Sequence, residues 1–270
     1  MIDLDDVTTI ARKAAIAAGR TVVEHWNSYQ RDVRAKGTTD IVSAADLASD
    51  RIISAAIRAA YPDHRILSEE DLHTDGFDYS GPLWVVDPID GTANYVRGHP
   101  YFAVSIAFAL DGVVMAGCVH APALAETFMA TKDGGATLNG APIGTSSPAG
   151  LIRSVVSTGF PHDKSDIGKP LRRVAILLRH CQDVRRSASP VLDIAYVAMG
   201  RLDAHAETLF PWDVAAAGLI AQEAGARRGN LEAAPIDTPP DLFGGEVVFS
   251  APSIFQELMA RLVESPSGAE

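Results

Sequence analysis

Residues 84–92 have the sequence Trp-Val-Val-Asp-Pro-Ile-Asp-Gly-Thr, in which a short apolar run leads into two aspartates. The apolar residues predict a buried strand that ends on Asp87, and the proline and glycine after it predict a turn. The carboxylates of Asp87 and Asp90 repel each other unless a cation or a proton lies between them. Oxygen-rich sites of this kind favour hard ions such as Mg²⁺. The alternative is an Asx turn, in which both side chains accept hydrogen bonds from nearby backbone amides.

A helical turn can begin directly after the second aspartate, at Gly91, Thr92 and Ala93. The first N–H groups of a helix have no partners within the helix, so they can bind a phosphate beside a metal ion. Carboxylates, a metal ion and an anion site together indicate phosphoryl chemistry.

Further acidic residues lie at the ends of other predicted elements. Glu69 follows a short strand at 65–68, and it would lie near Asp87 if the two strands were neighbours. Asp46 fits a variant capping box at the start of a helix. Asp213 lies at the start of another helix, where its negative charge interacts favourably with the helix dipole. Without a metal ion, these residues are explained as helix caps and solvated loop acids.

The composition is that of a soluble globular protein. The 270 residues suffice for one large domain or for two lobes that share a core. Hydrophobic residues make up 47% and charged residues 21%, close to the globular average. The net charge is −11, from 23 lysines and arginines against 34 aspartates and glutamates. This charge argues against a nucleic acid or an anionic membrane as a partner.

The sequence also favours a cytoplasmic location. Cys118 and Cys181 are far apart and form no C-x-x-C motif, so we expect two reduced thiols in the core. The first residues are acidic where a signal peptide would be basic. No apolar run approaches the roughly 20 residues that a membrane-spanning helix needs.

The pattern of elements changes near residue 150. Helical periodicity covers 3–28 and 44–61, and two β-rich runs within 101–120 are joined by Asp-Gly, which suits a two-residue hairpin. After residue 150, strands and helices alternate. We therefore expect an α+β lobe at 1–150, with an antiparallel sheet, and an α/β lobe at 151–270.

Three separated motifs resemble the inositol monophosphatase family of Mg²⁺-dependent phosphatases. They are Ser68-Glu69-Glu70, Asp87-Pro88-Ile89-Asp90-Gly91-Thr92 and Trp212-Asp213-Val214-Ala215-Ala216-Ala217-Gly218. Their order, with weaker matches between them, runs through residues 36–250. The resemblance implies a layered α/β/α/β sandwich like that of the fructose-1,6-bisphosphatases. The first lobe would supply most metal ligands, and the second would supply Asp213 and the substrate pocket.

The resemblance also implies a set of ligands for two or three Mg²⁺ ions per subunit. Glu69, Asp87 and the carbonyl of Ile89 would hold a first ion, and Asp87, Asp90 and Asp213 would surround a second. A further ion would be held more weakly. Mn²⁺ would be able to replace Mg²⁺, and Li⁺ and Ca²⁺ would act as inhibitors.

Other residues match the catalytic and substrate positions of the family. Thr92, paired with Asp46, would orient and help deprotonate the attacking water. The N–H groups of Gly91 and Thr92 would hold the phosphate, to which Lys36 can bring a positive charge from a polar loop.

The substrate end departs from the family pattern. Glu207 corresponds to the carboxylate that binds sugar or inositol hydroxyls, but it lies one residue closer to Asp213 than the family pattern predicts. The family's Gly-Ser/Thr-Ala-Ala stretch is Ala-Ser-Pro-Val at 188–191, and Ser189 is the pocket residue that it retains. Proline removes an N–H and valine adds bulk in this stretch.

The resulting hypothesis is a Mg²⁺-dependent phosphomonoesterase that acts on a small phosphorylated metabolite and forms a homodimer. Its first candidate substrate is myo-inositol 1-phosphate. Histidinol phosphate, fructose 1,6-bisphosphate and 3′-phosphonucleotides are alternatives used by related enzymes. A hypothesis of another class is a non-catalytic acidic module that binds cations or a protein.

Overall fold

Helices and sheets alternate in layers in the structure, a computed structural model that describes residues 2–27, 33–35, 41–71, 77–161 and 167–263. Within these ranges the helices are α1 (Leu4–Asn27), α2 (Ala44–Ala60), α3 (Thr92–Arg97), α4 (Gly168–His180), α5 (Pro190–Ala198), α6 (Pro211–Glu223) and α7 (Phe255–Val263). The long helices predicted at 3–28 and 44–61 are confirmed as α1 and α2. Their apolar residues have a strongly helical spacing. None of the described helices is long and apolar enough to cross a membrane.

The larger sheet is almost entirely antiparallel, with its strands in chain order. The strands are β3 (Arg65–Ser68), β4 (Pro82–Asp90), β5 (Ala103–Leu110), β6 (Val113–Ala121), β7 (Glu126–Thr131), β8 (Ala136–Leu138) and β9 (Ala141–Pro142). Asp111 and Gly112 both have positive φ, as a two-residue hairpin turn between β5 and β6 requires. Strands β3 and β4 are parallel, with Ser68 opposite Val86. Glu69 therefore leaves the sheet at the edge where β4 carries Asp87.

The smaller sheet is mixed. Its strands are β10 (Val155–Thr158), β11 (Asp183–Arg185), β12 (Ala204–Glu207), β13 (Arg227–Asn230) and β14 (Val247–Ser250). Their order in the sheet is β11-β10-β12-β14-β13. Strands β11, β10 and β12 are parallel, and β14 pairs antiparallel with both β12 and β13. Strands β13 and β14 lie outside the elements predicted from the sequence, as do β1 (Val33–Ala35) and β2 (Ile41–Ser43), which form a two-stranded sheet.

Alternating side chains on the strands build the layers. On β4, Trp84 and Val86 pack against α1 and α2, while Leu83 and Val85 pack against α5 and α6. On β14, Phe249 joins the core under α5 and α6, and its neighbour Val248 faces α4 and α7. The layered sandwich expected from the sequence is confirmed, and α4 and α7 add an outer layer to the smaller sheet. The division into lobes at residue 150 stays a prediction.

Helix α6 is largely buried, because it lies between the two sheets. Ten of its thirteen residues are buried, and residues 215–218 are three alanines and a glycine. Close packing explains this composition: a Cβ added to Gly117 on β6 would lie 2.9 Å from the carbonyl oxygen of Ala216. Small side chains let the helix backbone approach the sheet, so the start of α6 is fixed against the end of β4.

Candidate active site

Strand β4 delivers two buried aspartates by means of a register shift. In a regular strand, residues three apart point to opposite faces. Here Asp87 is opposite Ser105 and Asp90 is opposite Ala103, so β4 has one extra residue between them. This bulge lets both carboxylates join one cluster. The expected strand end at Asp87 is thus wrong: β4 continues to Asp90, because the bulge accommodates the proline without a ladder hydrogen bond.

Three carboxylates meet at the end of β4. Asp87, Asp90 and Asp213 each place an oxygen within 4.8 Å of the others, and all three residues are buried. Asp213 comes from the first turn of α6, where its Oδ2 accepts a hydrogen bond of 2.8 Å from the Phe210 N–H. The helix start thereby orients the side chain, so capping and membership of the cluster are compatible.

The electrostatics of the cluster favour a cation. Burial raises the pKa of Asp87 well above its ordinary value, and the charges of Glu69, Asp90 and Asp213 raise it further. Burial and the Asp213 charge raise the pKa of Asp90 in the same way. In addition, Asp87 Oδ1 is buried without a hydrogen-bond partner among the described residues. A buried, unpaired carboxylate oxygen among other carboxylates suits a hard cation such as Mg²⁺.

The Asx-turn explanation of the two aspartates is wrong. Asp90 Oδ2 accepts a 3.1 Å hydrogen bond from the Val191 N–H and another from the Ser189 hydroxyl, both about a hundred residues away along the chain. In the part of the chain that the structure describes, no nearby backbone amide donates to Asp87 or Asp90. The partners of Asp90 instead connect the end of β4 to the start of α5.

Glu69 and Ile89 lie beside the three-carboxylate cluster, which does not itself include Glu69. Glu69 follows β3, is half-buried, and is close enough to Asp87 to raise its pKa after the effect of burial. The Ile89 side chain is in the core, while its carbonyl accepts a 3.0 Å hydrogen bond from Thr92. Ser49, which the sequence analysis did not single out, donates a 2.8 Å hydrogen bond to the Pro88 carbonyl and fixes the backbone beside these groups.

Thr92 and Asp46 are brought together by α3 and α2. The Thr92 hydroxyl lies 3.2 Å from Asp46 Oδ1, while Asp46 Oδ2 accepts a 2.9 Å hydrogen bond from the Ser43 N–H. The capping box predicted for the start of α2 is therefore confirmed, and the same cap aims the second carboxylate oxygen at Thr92. Gly91 precedes α3 with φ of +86°, a conformation that favours glycine.

The N–H groups of Gly91 and Thr92 precede the first bonded turn of α3. Asn94 and Tyr95 are the residues whose N–H groups bond to the Gly91 carbonyl. Asn94 also donates 2.7 Å hydrogen bonds to the carbonyls of Tyr101 and Ser187. It therefore connects this turn to the segment before α5, a contact that no local sequence signal predicts.

The residues expected at the substrate end occupy different environments. Glu207 ends β12; burial, followed by the charge of Asp213, raises the pKa of its carboxyl to about 8. Ser189 is fully buried, with its hydroxyl on Asp90. Val191 packs in the core instead of adding bulk to a pocket, and Pro190 is the first residue of α5, where a missing N–H is tolerated. Lys36 lies outside the described residues.

Comparison with known proteins gives matches that span nearly the whole chain. The model of the inositol monophosphatase family matches residues 3–267. An inositol monophosphatase of Dictyostelium discoideum is 34% identical over 271 residues, covering 98% of each chain. The Nus factor SuhB of Escherichia coli strain K12 is 34% identical over 263 residues, covering 96% of this chain and 97% of the relative.

A solved structure agrees with these matches. The inositol monophosphatase from Anabaena (Nostoc) sp. PCC 7120 is 32% identical, has a TM-score of 0.85 and is covered over 98% of both chains. Enzymes of this family depend on metal ions, and the buried acidic cluster fits that dependence. The chain is a phosphatase and belongs to the inositol monophosphatase family.

Proposed function

We propose that the protein is a Mg²⁺-dependent phosphomonoesterase that hydrolyses a small polyol or sugar phosphate, with myo-inositol 1-phosphate as the first candidate. The carrying observation is the buried cluster of Asp87, Asp90 and Asp213, with an unpaired oxygen on Asp87 and the Thr92–Asp46 pair beside it. A cap or loop acid would not need this burial. The residues have the donor chemistry that Mg²⁺ prefers.

The same residues would hold the metal ions. Asp87 is the shared ligand in this proposal, with Glu69 and the Ile89 carbonyl on one side and Asp90 and Asp213 on the other. Bound Mg²⁺ would supply a more acidic water and would neutralise charge on the phosphoryl group. Ser189 and the Val191 N–H fix Asp90, which keeps its free edge available to an ion.

Thr92 and Asp46 would receive the proton of the attacking water. The Thr92 hydroxyl is within hydrogen-bond distance of both Asp46 Oδ1 and the Ile89 carbonyl, so its oxygen is able to accept a proton while its own proton passes to Asp46. The N–H groups of Gly91 and Thr92 would hold the phosphate and orient it for in-line attack.

The alcohol end of the substrate would contact Glu207. Its buried carboxyl group would bind hydroxyl groups of the alcohol, and the energy of leaving it unpaired would disfavour alcohols that lack them. Lys36 would contribute a charge to phosphate binding. We also propose a homodimer, which light scattering in solution would test.

Phosphate release from a panel of esters tests the proposal. The panel is myo-inositol 1-phosphate, histidinol phosphate, fructose 1,6-bisphosphate and a 3′-phosphonucleotide, each with Mg²⁺ and with EDTA. We expect Mg²⁺-dependent release, fastest with the inositol ester, and its loss in Asp90→Asn. Normal turnover in that variant would contradict the metal-site assignment, and a clear preference for the nucleotide would contradict the substrate.

The relatives named Nus factor SuhB provide a second candidate, a binding role without turnover. Mg²⁺ binding by a well-folded protein that hydrolyses none of the four esters would favour this role over the phosphatase proposal.

A further inference from the structure

A buried histidine lies directly behind the carboxylate of the proposed substrate pocket. His205 and Glu207 are two residues apart on β12, so both side chains lie on the same face of the strand. His205 is fully buried, and its Nε2 has no hydrogen-bond partner among the described residues. The nearest oxygen of Glu207, Oε2, is 3.5 Å from that nitrogen.

The other ring nitrogen of His205 belongs to a polar network between the two sheets. Nδ1 lies 2.9 Å from the Ser157 hydroxyl on β10 and 3.8 Å from Asp193 Oδ2 on α5. Asp193 in turn accepts a 2.8 Å hydrogen bond from the Tyr101 hydroxyl. Three elements therefore fix the plane of the imidazole ring, although nothing in the local sequence required a polar residue there.

These contacts decide which ring nitrogen carries the proton. Burial lowers the pKa of His205 to about 3, so the ring is neutral and has a single N–H. When Glu207 is ionised, above its pKa of about 8, a lone pair on Nε2 would face a carboxylate oxygen and repel it, whereas an Nε2–H would be attracted. In that state the favoured tautomer has Nε2–H directed at Glu207 and Nδ1 accepting from Ser157, whose hydroxyl turns to Nδ1 at 2.9 Å in preference to the Ala204 carbonyl at 3.4 Å.

The opposite side of Glu207 is closed by backbone. A Cβ added to Gly159 would lie 2.0 Å from Glu207 Oε1, so the carboxylate occupies the space that a side chain would take. The residue before Glu207 is also held, because the Thr158 hydroxyl donates a 2.7 Å hydrogen bond to the Ala206 carbonyl. Glu207 is thus confined between Gly159 and His205 and has little freedom to rotate.

We propose that His205 is a positioning residue that aims Glu207 at the hydroxyl groups of the substrate's alcohol. Its Nε2–H would face Oε2 across 3.5 Å and limit rotation of the carboxylate, which would keep the carboxylate aimed at a substrate hydroxyl. The inference rests on the proposed function and deepens it, because it makes selection of a polyol over a plain alcohol depend on a residue that does not touch the substrate.

Two variants distinguish the roles of the two ring nitrogens of His205. His205→Gln extends an amide N–H to the position of Nε2, whereas His205→Asn keeps a polar group near Ser157 only. With myo-inositol 1-phosphate we expect the Asn variant to raise KM about tenfold, the factor that one hydrogen bond is worth, with little change in kcat. The Gln variant should stay within about twofold of the wild type. With 4-nitrophenyl phosphate, whose alcohol has no further hydroxyl, neither variant should change KM.

The matched control is His120→Asn, which changes a half-buried histidine bonded to Thr127, away from the pocket. It should leave both KM values unchanged. An equal rise of KM for both substrates in the Asn variant, or no rise for the inositol ester, would overturn the role of His205. The wild type failing to hydrolyse the inositol ester would instead contradict the proposed function.

A measurement on the wild type keeps the inference testable if the variants fold poorly. Nitrogen-15 NMR of the histidine side chains distinguishes the two neutral tautomers. We expect the Nε2–H form for His205 at pH 9, above the pKa of about 8 at which Glu207 ionises. A proton on Nδ1 would overturn the proposal, because Nε2 would then be unable to donate to Glu207.

Discussion

Replacing one carboxylate of the acidic cluster should stabilise the metal-free protein. Oxygens of Asp87, Asp90 and Asp213 lie within 4.8 Å of one another, and two unit charges at that distance repel by about 3.5 kcal/mol at an effective dielectric constant near 20. Asp90→Asn removes two of the three pairs. The asparagine keeps an oxygen for the Ser189 and Val191 donors, so those contacts survive.

The sign of the pH dependence follows from the raised pKa values of Asp87 and Asp90. Between the unfolded value near 3.8 and the raised folded value, the folded protein binds more protons than the unfolded chain. Without metal ions, the contribution of these two carboxyls to stability is therefore greatest in acid and falls as the pH rises, by up to about 1.4 kcal/mol per pH unit for each carboxyl. Asp90→Asn should make this fall shallower.

Thermal unfolding at pH 8 measures the size of the stabilisation by Asp90→Asn. In EDTA we expect Asp90→Asn to be more stable by at least about 3 kcal/mol, because protonation at the raised pKa values relieves part of the roughly 7 kcal/mol from the two pairs; this is at least roughly 6–12 °C in Tm for a chain of this size. Mg²⁺ at about a hundred times its Kd should add about 2.7 kcal/mol to the wild type and much less to the variant.

The control is Asp237→Asn, which removes an exposed carboxylate outside the cluster and should leave Tm unchanged in both buffers. The reasoning is refuted if Asp90→Asn is less stable than the wild type in EDTA at pH 8. It is also refuted if Mg²⁺ stabilises both proteins equally.

Three further changes test the site and its support. Thr92→Val keeps the shape of the side chain without its hydroxyl, so kcat should fall at least about 100-fold while Mg²⁺ still raises Tm. Gly91→Ala places a Cβ 3.0 Å from a backbone oxygen at a φ of +86° and should cost about 1–3 kcal/mol in urea unfolding, more than Gly135→Ala, where φ is also positive but nothing lies within 4 Å. Arg173→Met removes the buried 2.6 Å partner of the half-buried Glu246, which keeps the Thr208 hydroxyl as a donor, and should cost about 1–3 kcal/mol, part of which a second change, Glu246→Gln, should restore.

The elements that surround the acidic cluster are predictable because their signals are local. The apolar run before Asp87 gives a strand, the Ser43 and Asp46 spacing gives a capping box, and the Asp-Gly pair gives a hairpin. Each depends on residues within a few positions of one another, so a single sequence contains the whole signal.

Contacts between distant segments are not predictable in this way. The donors to Asp90 lie in α5, and the sequence analysis assigned Ser189 to the substrate instead. Strand β13 has two arginines in four residues and lacks an apolar pattern, because it pairs at a sheet edge where burial is partial. The bulge in β4 follows from its pairing with β5, which only the folded sheet specifies.

Because α6 lies between the sheets, the acidic cluster is complete only when the layers of the fold have packed together. Asp87 and Asp90 belong to the larger sheet, while Asp213 belongs to a helix whose other side contributes to the core over the smaller sheet. A folding intermediate with only the larger sheet formed would lack the third carboxylate and bind a divalent cation weakly. Tight cation binding during refolding would therefore report the docking of the layers, and a bound ion would in turn resist their separation.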